Sequence, residues 1–246
     1  MKAMILAAGL GIRLKPYTNT KPKALLKVGN RTLLEYTILY LKKYEVKELV
    51  INVHHFPDQI ITYLNENNGF GMSYRISDER DLLMNTGGAI VKASQYLKDS
   101  DPFILLGVDI MTNLDLNAML RFHHQKKPLA TLAVKKRNTS RSLLFDKHMQ
   151  LTGWRDNDSG AIKGRLAVDF TYALGFSAIH VIDPGIFDCI NESGPFPITD
   201  LYLRLMETHP IIGYRHDDSD WIEFGRTDRM EQLMASQEFK RLIDSF

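Results

Sequence analysis

The chain has 246 residues, 44% of them apolar and 24% charged, with a net charge of +2 at neutral pH. That composition supports a full core without disulfides or a structural metal, and the single cysteine, Cys189, excludes an internal disulfide and a four-cysteine zinc site. The charge balance gives no reason to expect a nucleic-acid partner or a membrane surface. The apolar run after Lys2 ends at Ala8, short of the roughly 7–15 residues of a secretory core, and nothing approaches the ~18 of a membrane span. A cytoplasmic protein is expected.

The first half alternates between two periodicities. Ala3–Ala7 reads as a short apolar strand, Leu33–Tyr44 as a helix, Glu48–Val53 as a strand and Pro57–Asn67 as a helix with Pro57 in its first turn. Met72–Ile76 is a strand, Gly88–Leu97 a helix with Thr86 as its N-cap, Phe103–Val108 a buried strand and Leu116–Gln125 a helix. Strands separated by helices at this spacing predict βαβ units and a largely parallel sheet. After Leu129 the pattern changes. Leu129–Lys135, Ser142–Asp146, Gln150–Trp154 and Tyr172–Ile182 are strands joined by short links. Ile198–Glu207 is a helix, Ile211–Arg215 and Trp221–Phe224 are strands, and Asp228–Leu242 is helical. The second half is therefore expected to extend the sheet with antiparallel strands. No Pro- or Ser-rich linker divides the two, so residues 1–246 are expected to form one domain.

The segment from Ala8 to Arg31 breaks the pattern, because βα connections usually take ~2–6 residues and longer ones tend to be functional. Gly9 and Gly11 follow a strand directly and let backbone N–H groups approach a phosphate; Arg13, Lys15, Lys21 and Lys23 add cations to the same loop. A glycine turn at the carboxyl end of a strand is where open α/β sheets bind ligands. A dinucleotide fingerprint is excluded by Leu14 at the third glycine position, and a Walker loop is absent. On residues alone, a solvated basic loop with two turn glycines competes with a phosphate loop.

Leu6-Ala7-Ala8-Gly9-Leu10-Gly11-Ile12-Arg13-Leu14-Lys15-Pro16, followed by Pro22-Lys23-Ala24-Leu25, resembles the signature of the sugar-phosphate nucleotidyltransferases, also called nucleotide-sugar pyrophosphorylases. The resemblance implies a three-layer α/β/α Rossmann-like fold with a mixed, mainly parallel central sheet. It implies that Leu6, Ala7, Ala8 and Gly9 line the nucleotide and that Gly11 and Ile12 lie near the phosphates. Arg13 and Lys23 would be the catalytic basic pair. Ile12 departs from the family's usual Thr or Ser at a position that acts through backbone.

Transfer from an NTP generally uses Mg²⁺, held by few carboxylates and the substrate's own phosphates. Asp109 follows the strand Phe103–Val108, so it faces the same sheet edge as the glycine loop; by spacing it is either a turn residue or a site carboxylate. The resemblance makes it the metal-binding Asp. The family's second carboxylate lies in a Trp-x-Asp-x-Gly-Thr pattern; here Trp221-Ile222-Glu223-Phe224-Gly225-Arg226-Thr227 puts Glu223 in its place, as a metal ligand or a surface strand residue. Thr86-Gly87-Gly88-Ala89, after Asp78-Glu79, resembles the nucleotide-facing turn and adds Glu79, Gly87 and Gly88 to the nucleotide set. Tyr172-Ala173-Leu174-Gly175-Phe176 resembles the sugar-facing strand. Gly107, Arg141 and Gly175 are the expected sugar contacts. Arg137 and Arg141 flank Asn138-Thr139-Ser140, a loop in reach of a sugar phosphate or simply solvated. His54 and His55 are expected in polar edge roles.

The expected reaction is transfer of a nucleoside monophosphate, UMP for preference, from an NTP to a sugar 1-phosphate, with Mg²⁺ as cofactor. The likeness is strongest to short bacterial N-acetylmuramate 1-phosphate uridylyltransferases, which points to cell-envelope sugars. A cytidylyltransferase for phosphocholine is an alternative, and so is a non-catalytic nucleotide-sugar sensor, which Glu223 and Gly107 favour. The sequence does not define an oligomeric state.

Overall fold

The computed structural model describes residues 1–165 and 172–245. Strand β1 (Lys2–Leu6) turns Ala3 and Ile5 toward one core layer and Met4 toward the other, as the two-residue repeat of a strand requires. The long segment after it contains two single 3₁₀ turns, Ile12–Leu14 and Lys23–Leu25, and a minimal hairpin of β2 (Lys27–Val28) and β3 (Arg31–Thr32). Helix α1 (Leu33–Lys43) starts where the Thr32 hydroxyl accepts the Glu35 N–H at 3.1 Å. It buries Leu34, Ile38 and Leu41 against the sheet, worth roughly 1.5–3 kcal/mol per side chain.

Next come β4 (Glu48–Val53), α2 (Pro57–Glu66), β5 (Ser73–Asp78), α3 (Asn85–Lys92), the single turn α4 (Ser94–Leu97), β6 (Phe103–Gly107), β7 (Ile110–Thr112) and α5 (Leu116–Lys126). Strands β8 (Ala130–Lys135), β9 (Arg141–Phe145), β10 (Leu151–Asp156), β11 (Ile162–Gly164) and β12 (Tyr172–Ile182) follow, with no helix between them among the described residues. The chain closes with α6 (Ile198–Leu205), β13 (Ile211–Arg215), β14 (Trp221–Glu223), α7 (Thr227–Ala235) and α8 (Gln237–Asp244).

The main sheet has the order β11-β10-β9-β12-β6-β1-β4-β5, with β8 also on β12 and β13 on β8. Strands β6, β1, β4 and β5 are mutually parallel; β12 runs antiparallel to β6 and opens the antiparallel extension. Residues of α1, α2 and α5 pack on one face, and residues of α3, α4 and α6 on the other. This is the expected three-layer arrangement with a mixed, mainly parallel sheet. Because β1 has β4 on one side and β6 on the other, the strand order reverses at β1, and a crevice opens beyond the carboxyl ends of β1 and β6.

Three expectations change. The helix expected over Gly88–Leu97 begins at Asn85 and breaks at Ala93, and Thr86 does not cap it. Its hydroxyl instead accepts the Ile198 N–H at 2.8 Å and so holds the start of α6. The helix expected over Asp228–Leu242 is two, since Ser236 is extended and caps α8 by accepting the Phe239 N–H at 3.0 Å. Finally, β7 and β14, each three residues, pair antiparallel in a small sheet of their own.

Candidate active site

The glycine turn leaves β1 straight into the crevice. Gly11 sits at φ +62°, and an added Cβ would lie 2.7 Å from the Thr18 methyl, so both conformation and space call for glycine. The loop is tied down along its length. Thr18 donates its hydroxyl to the Gly11 carbonyl at 2.9 Å, Thr227 donates to the Arg13 carbonyl at 3.0 Å, and Gln59 donates to the Thr20 carbonyl at 3.0 Å. In front of Gly9 there is open space.

The floor of the crevice is a chain of hydrogen bonds. Ala7 N–H donates to the Asn52 side-chain oxygen at 2.7 Å, the Asn52 amide donates to Glu79 at 2.8 Å, and the other Glu79 oxygen accepts the Met84 N–H at 3.0 Å. Glu79 is fully buried and both carboxylate oxygens are engaged, so it holds β1, β4 and the start of α3 in register. The N-terminus of α3 is likewise committed: Gly87 and Gly88 N–H both donate to the Phe196 carbonyl, at 2.8 and 3.3 Å. A Cβ on Gly87 would lie 2.2 Å from the Phe196 ring. These two glycines serve close packing, while Asn85 and Thr86 face the cavity.

The acidic residues meet through the small sheet. Pairing of β7 with β14 puts Glu223 opposite Ile110, and the Phe224 N–H donates to the Asp109 carbonyl at 2.9 Å. Lys23 reaches across from the glycine loop and forms an ion pair with the Asp109 carboxylate. The Arg13 guanidinium lies beside Gly225, 3.4 Å from where a Cβ would stand, next to the Glu223 carboxylate. Glu223 still meets solvent, but it stands in a crowded cleft. Partial burial, and then the Asp109 charge, raise its carboxyl above the usual glutamate range; Lys23, Arg137 and Arg13 pull the other way.

Two carboxylates that repel each other, with only oxygen donors, suit a magnesium ion that takes its remaining ligands from phosphate and water. Among the described residues, no group of three or more His, Cys, Asp or Glu could hold a metal unaided. The pair therefore fits a metal that arrives with a polyphosphate.

The resulting cavity measures about 560 Å³. Leu6, Ala7, Ala8, Gly9, Lys23, Glu79, Gly107 and Asp109, all expected from the sequence, line it. Arg141 does not; it extends from β9 over the Trp154 ring at 5.9 Å. Ile12 is exposed beside the loop. Phe176, from the strand expected to face the sugar, lines the cavity, and so do Asn52 and His180, which were not expected. A lone amide in the apolar strand Glu48–Val53 was a usable signal for Asn52.

The nucleotidyl transferase family profile matches residues 2–142, which carry the glycine loop, Lys23, Asn52, Glu79 and Asp109. The chain belongs to the nucleotidyl transferase family. It is 39% identical over 220 residues to the N-acetylmuramate alpha-1-phosphate uridylyltransferase of Caulobacter vibrioides, covering 86% of each chain. It is 24% identical over 240 residues to the UTP–glucose-1-phosphate uridylyltransferase of Synechocystis, covering 92% of this chain but only 60% of that relative. In fold it is similar to a UDP-glucose pyrophosphorylase solved with UDP-glucose, with a TM-score of 0.78, 15% identity, and coverage of 98% and 99% of the two chains.

Outside the matched span, this nucleotidyl transferase completes its cleft with β12. The pairing register of β12 shifts between Phe176 and His180, and Ala178 takes φ +55°, so the strand carries a bulge where it passes the cavity. The His180 ring nitrogen Nδ1 lies 2.7 Å from the Tyr202 hydroxyl, and complete burial lowers its pKa to about 3, keeping the ring neutral. No described helix is long and apolar enough to cross a membrane.

Proposed function

We propose that the chain transfers a nucleoside monophosphate, UMP in the first instance, from an NTP to a sugar 1-phosphate and releases pyrophosphate. The observation that carries the reading is the meeting of Lys23 and Arg13 with Asp109 and Glu223 at the carboxyl ends of β1 and β6. The base and ribose would occupy the pocket of Leu6–Gly9, Asn52, Asn85 and Thr86. The acceptor would enter on the side of Gly107, Phe176 and His180. The high likeness to an N-acetylmuramate 1-phosphate uridylyltransferase over most of both chains supports a uridine donor and a cell-envelope sugar as acceptor.

In the proposed reaction an oxygen of the acceptor phosphate attacks the α-phosphorus in line. The new P–O bond forms as the bond to the bridging α–β oxygen breaks, and that electron pair leaves with pyrophosphate. The attacking oxygen is already ionised at neutral pH, so no general base is needed, and the protein's work is positioning and charge neutralisation. Lys23 neutralises the α-phosphate in flight, and Arg13 the departing pyrophosphate. Mg²⁺ held by Asp109 and Glu223 would offset triphosphate charge. Lys23, which pairs with Asp109 in the structure, would turn from that carboxylate to the phosphate, leaving Asp109 free to hold the metal. One domain, acting in the cytoplasm where NTPs are made, would carry the whole reaction.

Pyrophosphate release is the direct test, with UTP, CTP, GTP, ATP and dTTP each offered against sugar 1-phosphates and phosphocholine, with and without Mg²⁺. Release with UTP and a sugar 1-phosphate, abolished by a chelator, is expected. Preference for CTP with phosphocholine would replace both substrates, and no release from folded protein that binds an NTP would sink transfer.

A further inference from the structure

His180 stands in the β12 wall of the cleft and takes no part in the proposed transfer step. The bulge puts it there. β12 runs from Phe176 to His180 while its partner β8 passes only from Val134 to Leu132, and the left-handed Ala178 absorbs the excess, so both Phe176 and His180 reach the cavity. From the other layer, α6 brings Tyr202, one turn on from Ile198, which also lines the cavity. The start of α6 is fixed in turn, since the Thr86 hydroxyl holds the Ile198 N–H.

The tautomer of His180 follows from which atom can donate. Tyr202 is 1% exposed, and His180 Nδ1 at 2.7 Å is the one hydrogen-bond partner of its hydroxyl among the described residues. With a proton on Nδ1, the phenolic hydrogen would be sealed in without an acceptor, and an unsatisfied buried donor is costly. The phenol therefore donates to Nδ1, and the imidazole proton sits on Nε2. Among the described residues, the side-chain polar atoms sealed from solvent without a partner are Ser77 Oγ, Arg137 Nε and His216 Nδ1. His180 Nε2 is not one of them and has no partner among those residues, so it opens into the cavity that the ring lines. Phe176, edge-on to the imidazole at 4.8 Å, Ala178 and Ile198 make the wall around it apolar. Complete burial keeps the ring neutral.

We propose that His180 is a specificity determinant for the acceptor: its Nε2–H donates to one uncharged oxygen of the sugar, a hydroxyl or a carbonyl, and Tyr202 positions it by holding the tautomer. The assignment rests on the transfer reading above. A neutral donor in an apolar wall selects by what it leaves unpaired. An acceptor without that oxygen strands the N–H, and a quaternary ammonium, which has no lone pair, cannot meet it. An anionic oxygen is disfavoured as well, because matching its charge would need a second proton on Nδ1, the atom that the phenol already occupies.

The first arm of the test needs no turnover. The full chain is labelled with ¹⁵N-histidine and followed by long-range ¹H–¹⁵N correlation, the His180 signals being those lost in His180→Phe/Tyr202→Phe. The proton is expected on Nε2 in wild type, and Tyr202→Phe, which lies behind the cavity lining, is expected to release it to a mixture of tautomers. A wild-type proton on Nδ1 overturns the proposal whatever the activity. In the second arm, sugar 1-phosphates that each lack one oxygen-bearing substituent are compared with the parent sugar in wild type and in His180→Phe/Tyr202→Phe. That pair of substitutions removes donor and acceptor together and leaves neither stranded. One omission is expected to raise wild-type KM by roughly 10–100-fold, the scale of a stranded donor, and to cost nothing further in the double variant, with kcat little changed. Equal penalties in both proteins, or a wild-type preference for phosphocholine, overturn the proposal. If wild type turns over no acceptor at all, the transfer reading has failed by itself, and the same sugars titrated into the labelled protein decide. A saturable shift of the Nε2 resonance with only those sugars that bear one particular oxygen retains the site; no shift with any of them overturns it.

Discussion

On the β1 side of the cleft, the contacts come from one loop and from the ends of adjacent parallel strands. Gly9 and Gly11 lie in one loop, and Asn52 and Glu79 stand at the ends of neighbouring parallel strands. The β12 side is assembled from segments far apart: the bulge at Ala178, the start of α6, and β14, which reaches Asp109 only by pairing with β7. On the proposed reading the first side would meet the nucleotide, and the second, which the acceptor would approach, is where acceptors would be told apart. A change on the β1 side should therefore lower turnover with every acceptor, and a change on the β12 side should redistribute it.

The largest effect tests the β1 side. Lys23→Ala removes the cation that pairs with Asp109 and that, on the proposed reading, would meet the reacting phosphate, and turnover should fall about 10²–10³-fold, the scale seen when one transition-state donor is lost. The fall should be similar with every NTP and acceptor, checked by steady-state pyrophosphate release alongside circular dichroism for the fold. A loss confined to one acceptor would break the division between the two sides.

Glu223→Gln comes next, at the junction. Removing its charge relieves Asp109 but, on the proposed reading, would cost a metal ligand, so the Mg²⁺ concentration for half-maximal rate should rise roughly 10–100-fold. Restored turnover at high Mg²⁺ would support its place in the metal site; an unaltered Mg²⁺ profile would make Glu223 a bystander. A smaller, structural effect is expected from Gly87→Ala. The added carbon meets the Phe196 ring, and overpacking of this kind costs about 1–3 kcal/mol. The melting temperature should fall and KM for NTP rise. An unchanged melting temperature would mean that the Phe196 segment yields freely.

The two sides also differed in how far the sequence revealed them. Strands and helices of the parallel half follow from apolar period alone, because each is long enough to bury a face, and the glycine loop is legible because Gly11 has a conformation few other residues accept. Thr86 misled because a hydroxyl before a helix reads as a cap, and its actual partner, Ile198, is distant in sequence. Arg141 and Arg137 were indistinguishable by spacing. Only the bulged path of β12, with Gly175 beneath it, decides that Arg137 turns toward Trp221 while Arg141 packs on Trp154. Strand β7 is three residues long and finds its register only through β14.

Acid should separate the halves most finely. The described histidines with depressed pKa values, His123 and His216 at about 4 and His180 at about 3, all pack on β8 or β12, and burial is the first cause in each. Each is neutral when folded and has a pKa near 6.5 when unfolded, so between those values the unfolded chain binds more protons. Their contribution to stability is therefore fully present above about pH 6.5 and is lost as pH falls toward the folded values. A single such histidine removes up to about 1.4 kcal/mol per pH unit within that window. His180→Gln should accordingly flatten the stability–pH slope between pH 6 and 5 by roughly that amount, measured by urea unfolding at each pH, even though the substitution lowers stability at pH 7. In wild type, hydrogen exchange at pH 5 should open β8 and β12 before β1 and β4. Simultaneous opening of all four strands would mean that the sheet unfolds as one unit, with the antiparallel extension no weaker in acid than the parallel strands beside the glycine loop.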